Sequence, residues 1–283
     1  MLANLNDVLR PARRDGYAVG LFNTVNLEMA LGVISAAEET GSPVIVGTAE
    51  ILLPFGSLEN LADMLIPMAR RARVPVVVHY DHGLTFDMCM KTLRYGFSSI
   101  MYDCSTAPYE ENVRNVAEMT RIAHACGATI EGELGHVGNN PYDDTDQPDP
   151  SAFFTQPELA KDFAERTGID ALAISVGNAH GAYRLPPKLD FDRIRAIADM
   201  IPDVALVLHG GSGLSDDDFR KAIAMGISKV NIFTDINVAQ VRAVTENCRD
   251  TGRGITEMIP YQVEAVKKET MKKMKLFGSV GRY

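Results

Sequence analysis

The chain has 283 residues, of which 46% are hydrophobic, a formal net charge of −9 and four scattered cysteines, Cys89, Cys104, Cys126 and Cys248. The length is generous for one ordinary domain but usual for an α/β barrel, the acidic balance argues against nucleic acid as a main partner, and cysteines without a CxxC spacing read as reduced thiols of a cytoplasmic protein. Met1 to Asp7 lacks the charged-then-apolar pattern of a signal peptide, and no apolar stretch approaches the roughly 20 residues that span a bilayer.

Eight apolar, β-branched-rich runs follow one another: Ala18 to Thr24, Pro43 to Thr48, Val74 to Tyr80, Ser98 to Asp103, Ala128 to Gly135, Ala171 to Val176, Ala205 to Gly210 and Lys229 to Thr234. They are near-continuous rather than alternating, as strands buried on both faces are. Helical spacing marks Leu27 to Glu39, Glu110 to Ala125, Leu159 to Arg166 and Phe191 to Met200. Ser215 to Met225 opens on a capping serine with acids in the first turn. A basic amphipathic helix covers Tyr261 to Phe277. Strands alternating with helices predict a single (β/α)8 barrel with a C-terminal helical extension, one domain over residues 1–283. The runner-up, an open doubly wound sheet, lacks its phosphate fingerprint, because no GxGxxG follows the first strand. The long polar connection from His136 to Pro150, with three prolines and four aspartates, leaves the catalytic end of the fifth strand and reads as a lid.

The chemistry gathers at strand ends. His82, His180 and His209 each close an apolar run, the third, sixth and seventh, and each is followed closely by glycine. In a parallel barrel these tips converge, and three imidazoles suit a zinc ion with one position open. Asp81 stands beside His82 and is a candidate general acid–base; strand alternation turns the two side chains in different directions and gives Asp81 and His79 one face. Asp103 ends the fourth strand. Glu131 and Glu133 lie inside the fifth, where an acid is costly unless paired or near a metal, so Glu133 is a site candidate. His209 to Gly213 after the seventh strand, with Asn231 to Asp235 ending the eighth, occupy the usual phosphate position of barrels.

The motifs HYDHG (His79 to Gly83), MYDCS (Met101 to Ser105), EGELG (Glu131 to Gly135), SVGNAHG (Ser175 to Gly181), VLHGGSG (Val207 to Gly213) and NIFTD (Asn231 to Asp235) resemble, in order, those of the class II, zinc-dependent ketose-bisphosphate aldolases. The resemblance runs from Phe22-Asn23 to Gly278-Ser279. It implies one zinc ion on His82, His180 and His209, with Asp81 as acid–base and Glu133 close to the metal. Substrate contacts fall on Asn23, Gly181, Gly210, Gly211, Ser212, Asn231, Ile232, Phe233 and Thr234, and a monovalent cation near the phosphate is a further expectation. It also implies reversible retro-aldol cleavage of a ketose 1,6-bisphosphate, of fructose or tagatose type, to dihydroxyacetone phosphate and an aldehyde. That is carbohydrate metabolism of the glycolytic kind, carried out by a cytoplasmic homodimer or homotetramer. The alternatives are another phosphorylated keto-sugar or keto-sugar acid, or a catalytically weak metal-binding barrel.

Three departures accompany the resemblance. The acid the family carries after a Gly-Gly in the lid has no counterpart in Gly138-Asn139-Asn140, which leaves Asp143 and Asp144 as candidates. Phe233 stands where fructose-bisphosphate enzymes commonly have Asp, and Asn178 where Thr is frequent. A Schiff-base aldolase would need a lysine at a strand's C-terminal end, and the one strand lysine, Lys229, begins its strand. An amidohydrolase-type zinc barrel would need His-x-His in the first strand, which reads Gly20-Leu21-Phe22-Asn23-Thr24.

Overall fold

The computed structural model describes residues 1–135, 137, 153–179, 188–248 and 254–283. A two-residue strand β1 (Leu2–Ala3) leads into α1 (Leu5–Asp15). Then come β2 (Val19–Asn23), α2 (Leu27–Thr40), β3 (Val44–Ala49), a 3-10 turn (Glu50–Phe55), α3 (Leu58–Arg71), β4 (Val76–Gly83), α4 (Phe86–Tyr95), β5 (Ser99–Tyr102) and α5 (Tyr109–Ala125). The second half runs β6 (Thr129–Leu134), α6 (Pro157–Thr167), β7 (Ala171–Ile174), α7 (Phe191–Met200), β8 (Ala205–Leu208), α8 (Asp216–Met225), β9 (Ile227–Ile232), α9 (Thr234–Asn247) and α10 (Ile255–Phe277). Strands β2 to β9 pair in parallel in chain order, and β9 pairs back onto β2. The eight expected runs are these eight strands, closed into a (β/α)8 barrel with a C-terminal helix.

The ends of this barrel do different work. At the N-terminal end, α1 acts as a plug. Asn4 and Asp7 cap it reciprocally, and Leu5, Val8, Leu9 and Ala12, one helical face, are buried. They join one apolar cluster with the inward-facing Val19, Leu21, Ile45, Val77, Met101, Ala171, Ala173, Ala205 and Val207. The Leu5 N–H donates to Thr129 Oγ1 at the start of β6 (3.0 Å), and Arg13 donates to the carbonyls of Gly226 and Ala198 (2.6 and 2.7 Å). Sequence periodicity did not reveal this helix, because Pro11 stands inside it and proline speaks against a helix interior.

Helix α10 extends six residues further back than its amphipathic signal, to Ile255. Its apolar face is consumed inside the chain. Val266 sits so close to α2 that a Cβ on Gly32 would lie 2.7 Å from it, and the ring of Phe277 packs 5.3 Å from that of Phe219. The amphipathic pattern of Tyr261 to Phe277 therefore marks packing within the chain.

If α1 seals the barrel from below, truncating its buried face should weaken the fold without touching the opposite end. Leu5→Ala should cost about 2–5 kcal/mol of unfolding free energy, the range for a buried leucine. Chemical denaturation checks this, with metal affinity of the native fraction unchanged.

Candidate active site

At the C-terminal end a cleft of about 470 Å³ is lined by Asn23, Asp81, His82 and Asp103, by Gly210, Gly211 and Ser212 after β8, and by Asn231, Ile232, Phe233 and Thr234 at the end of β9. Ala49, Ile51, Leu52, Leu84 and Val137 form its apolar side. Every described residue expected to contact substrate therefore lies on one cavity. His180, Gly181, Asp143 and Asp144 are outside the described residues, as is most of the expected lid.

Asp81 and His82 do not point apart as simple alternation requires. The β4–β5 register shifts between Tyr80 and Gly83, and His82 adopts φ 44°, the one positive φ among described non-glycine residues. A bulge of this kind re-aims a side chain, and strained backbone persists where its surroundings enforce it. Here it brings Asp81, His82 and His209 together, with one potential ligand atom from each within 4.8 Å of the others. Gly83 completes the turn, because a Cβ there would lie 2.7 Å from the Met101 carbonyl oxygen.

The two imidazoles face each other through Nε2 of His82 and Nδ1 of His209, 2.8 Å apart. Each ring is anchored on its far side by a carboxylate: His82 Nδ1 on Asp103 Oδ2 and His209 Nε2 on Glu131 Oε1, both at 2.8 Å. Carboxylate-backed imidazoles that turn their other ring nitrogens to a common point are what a bound divalent metal requires. The donor set thus fits a metal. Burial opposes charge on His82, but Asp81 and Asp103 outweigh it and push its pKa up to about 10. Burial and the neighbouring His82 lower that of His209. With His82 raised and His209 lowered, the hydrogen bond between the rings runs from His82 Nε2–H to His209 Nδ1.

Asp81 is buried, yet accepts from Asn23 Nδ2 (2.8 Å) and from Asn231 Nδ2 (3.1 and 3.2 Å). Burial works against its charge, but His82, His209, Lys229 and His79 hold its carboxyl below the ordinary range. Glu133 is the opposite case. Burial and Asp103 raise it to about 8, and its Oε1 accepts from the Val137 N–H (3.0 Å). One buried carboxylate is thus ionised at neutral pH and the other protonated, the separation that distinguishes bases from acids.

His79 shares Asp81's face, as expected, with Nε2 3.8 Å from both Asp81 and Glu131. Burial drives it down to about 3, so it stays neutral. Asn178 acquires a role: its amide accepts from the Val176 N–H (2.9 Å) and donates to the His209 carbonyl (3.1 Å), tying the β7 tip to the β8 tip. His124 is on α5, half-exposed and paired with Asp170. Lys229 does not lie at the far end. Fully buried, it crosses the barrel interior to Glu131 Oε2 at 2.7 Å. Sequence reasoning assigned no site role to Glu131 or Asp103. Their only signal was an acid in or at the end of an apolar strand, and their partners lie on other strands.

The two loops expected to hold phosphate are coupled. The Gly211 N–H donates to the Asn231 carbonyl (3.3 Å), and a Cβ on Gly211 would lie 2.9 Å from that oxygen. Ser212 Oγ is buried with no hydrogen-bond partner among the described residues, as are Asn23 Oδ1 and Asn231 Oδ1. Buried polar atoms left unpaired in a cleft are positions for a ligand.

Because His82 must lose its proton to bind a cation, metal uptake at pH 7–8 should release about one proton per ion. Affinity should rise with pH until His82 titrates near 10. Calorimetry in buffers of different ionisation enthalpy measures the release, which should vanish in His82→Asn.

The family described as class-II fructose-bisphosphate aldolase matches residues 3–282. The fructose-bisphosphate aldolase of Thermus caldophilus is 39% identical, with all of both chains covered. That of Geobacillus stearothermophilus is 36% identical, covering 99% of this chain and 98% of its own. The crystal structure of the YdjI aldolase from Escherichia coli K12 superposes with a TM-score of 0.90 at 37% identity, covering 100% of this chain and 99% of that one. A family match from residue 3 to residue 282 and fructose-bisphosphate aldolases more than a third identical over nearly the whole chain make this chain a member of the class II fructose-bisphosphate aldolase family, and so a lyase.

Proposed function

We propose that the chain catalyses reversible, zinc-dependent retro-aldol cleavage of a ketose phosphate to dihydroxyacetone phosphate and an aldehyde. The fructose and tagatose 1,6-bisphosphates are the leading substrates, followed by other phosphorylated keto-sugars and keto-sugar acids. The observation that carries this is the ionised Asp81 set beside two carboxylate-anchored imidazoles in a cleft that also contains the paired glycine-rich and NIFT loops. His82, His209 and His180 would hold the ion. A bound divalent ion supplies Lewis-acid polarisation of the ketose carbonyl.

The chain's own groups do the rest. Backbone N–H groups of Gly210 to Ser212 and Asn231 to Thr234, with Ser212 Oγ, would anchor the phosphate and fix the reacting carbons over Asp81. A monovalent cation beside that phosphate belongs to the same reading. Asp81 would take the C4 hydroxyl proton as C4–O becomes the aldehyde carbonyl. The C3–C4 bond breaks, its electron pair staying with C3, which then needs a proton. Asp143 or Asp144 of the lid is proposed to deliver it. Glu133, protonated at neutral pH, is the second candidate. A cytoplasmic homodimer or homotetramer completes the reading.

Retro-aldol turnover on a panel of ketose 1-phosphates and 1,6-bisphosphates, with and without chelator, is the test. Activity should vanish on chelation and return with zinc. Asp81→Ala should keep its zinc and lose about 10²–10⁴-fold in turnover. No activity on any of these substrates in the zinc-loaded protein would refute the proposal.

A separate exchange assay addresses the lid. In Asp143→Ala or Asp144→Ala, loss of the C3 proton of dihydroxyacetone phosphate to solvent should slow while zinc content holds. Wild-type exchange in the double variant would transfer the role to Glu133.

A further inference from the structure

The chemistry above gives Lys229 no part beyond its charge near Asp81. Its ammonium and the Glu131 carboxylate are both fully buried, on β9 and β6, across the barrel interior from each other. Taking two charges out of water costs several kcal/mol per ion, and apolar pairs of similar volume are often as stable or more so. Barrel interiors are ordinarily filled by branched apolar side chains. Stability therefore gives little reason for this pair.

Its geometry gives a better one. Glu131 divides its two oxygens: Oε2 takes Lys229 Nζ at 2.7 Å and Oε1 takes His209 Nε2 at 2.8 Å. With Nε2 engaged, His209 presents Nδ1 toward His82 Nε2. A carboxylate held on one oxygen only could rotate. Held on both, it fixes the plane and direction of the ring.

We propose that Lys229 is a positioning residue of the metal centre: acting through Glu131, it fixes the His209 ring with Nδ1 presented to the metal. The inference rests on the reading of His209 as a ligand. Chemistry at residue 131 makes it testable. In Glu131→Gln, the ammonium of Lys229 requires the amide oxygen. The amide NH2 is then turned to His209 Nε2, which must accept, so the ring proton moves to Nδ1 and blocks it. Removing Lys229 as well frees the amide to turn its oxygen back to Nε2.

Zinc affinity is measured on full-length, metal-free variants by competition with a chromophoric chelator, with ¹⁵N-histidine spectra reporting the tautomer and circular dichroism the fold. Glu131→Gln should lose about 100-fold in zinc affinity, at the upper end for groups that orient ligands, and Lys229→Met alone about 10-fold. The double variant should bind at least about 10-fold more tightly than Glu131→Gln, with His209 again protonated on Nε2. A folded double variant that binds zinc no better than Glu131→Gln overturns the inference. If Glu131→Gln does not fold, Lys229→Met decides, and wild-type affinity there overturns it equally. His209→Ala tests the ligand reading separately: unchanged zinc affinity in that variant would remove the premise, whatever Lys229 does.

Discussion

His209 is held at both ring nitrogens inside a closed barrel, and the polar organisation of the site follows from that constraint. One nitrogen faces His82 and the other Glu131. Because these groups are buried or nearly so, each one so engaged must itself be answered: Glu131 by Lys229, His82 by Asp103, and Asp81 by the amides of Asn23 and Asn231. A buried polar network is favourable only when its members are satisfied. Among the buried polar atoms that stay unpaired in the described residues, those on Asn23, Asn231 and Ser212 belong to residues lining the cleft, where a ligand could satisfy them.

This arrangement also explains how neighbouring carboxylates can behave differently. Asp81 is surrounded by amide donors and lies beside the charged His82 ring, so it stays ionised, while Glu133, two residues after the Lys229-paired Glu131 on the same strand, faces Asp103, which with burial raises its pKa. Strand alternation puts Glu131 and Glu133 on one face, but it cannot say which becomes an acid. The neighbours across the barrel decide.

The barrel itself was largely legible in the sequence, because strands buried on both faces leave unbroken apolar runs and all eight stood out. Helices were less so. Prolines inside α1 and α3 hide their periodicity, and α9 is rich in β-branched and polar residues with little amphipathic contrast. At the site, His82, His209 and Asp81 were visible because each ends a strand. Their common aim was not, since it depends on a bulge that breaks the alternation sequence reasoning relies on. Asp103, Glu131 and Lys229 were harder still. Their contribution consists of which residue lies opposite, and that is set by closure of the sheet.

The acidic chain raises a last question, how it could hold a phosphate at all. Two helix N-termini stand near the cleft loops, and they differ. Helix α8 opens on Ser215 with Asp216, Asp217 and Asp218, and a complete capping box satisfies its first turn. Its partial positive charge is already answered by its own acids. Helix α9 begins after Phe233, which offers no side-chain cap, and its one early acid, Asp235, is engaged by Lys273 at 2.6 Å. The start of that helix, Phe233 and Thr234, lines the same cleft as Ser212, Gly211 and Asn231. On these grounds the proposed phosphate belongs at α9, bound by backbone dipoles. In this reading Phe233, standing where the family often has Asp, also spares the anion a carboxylate neighbour.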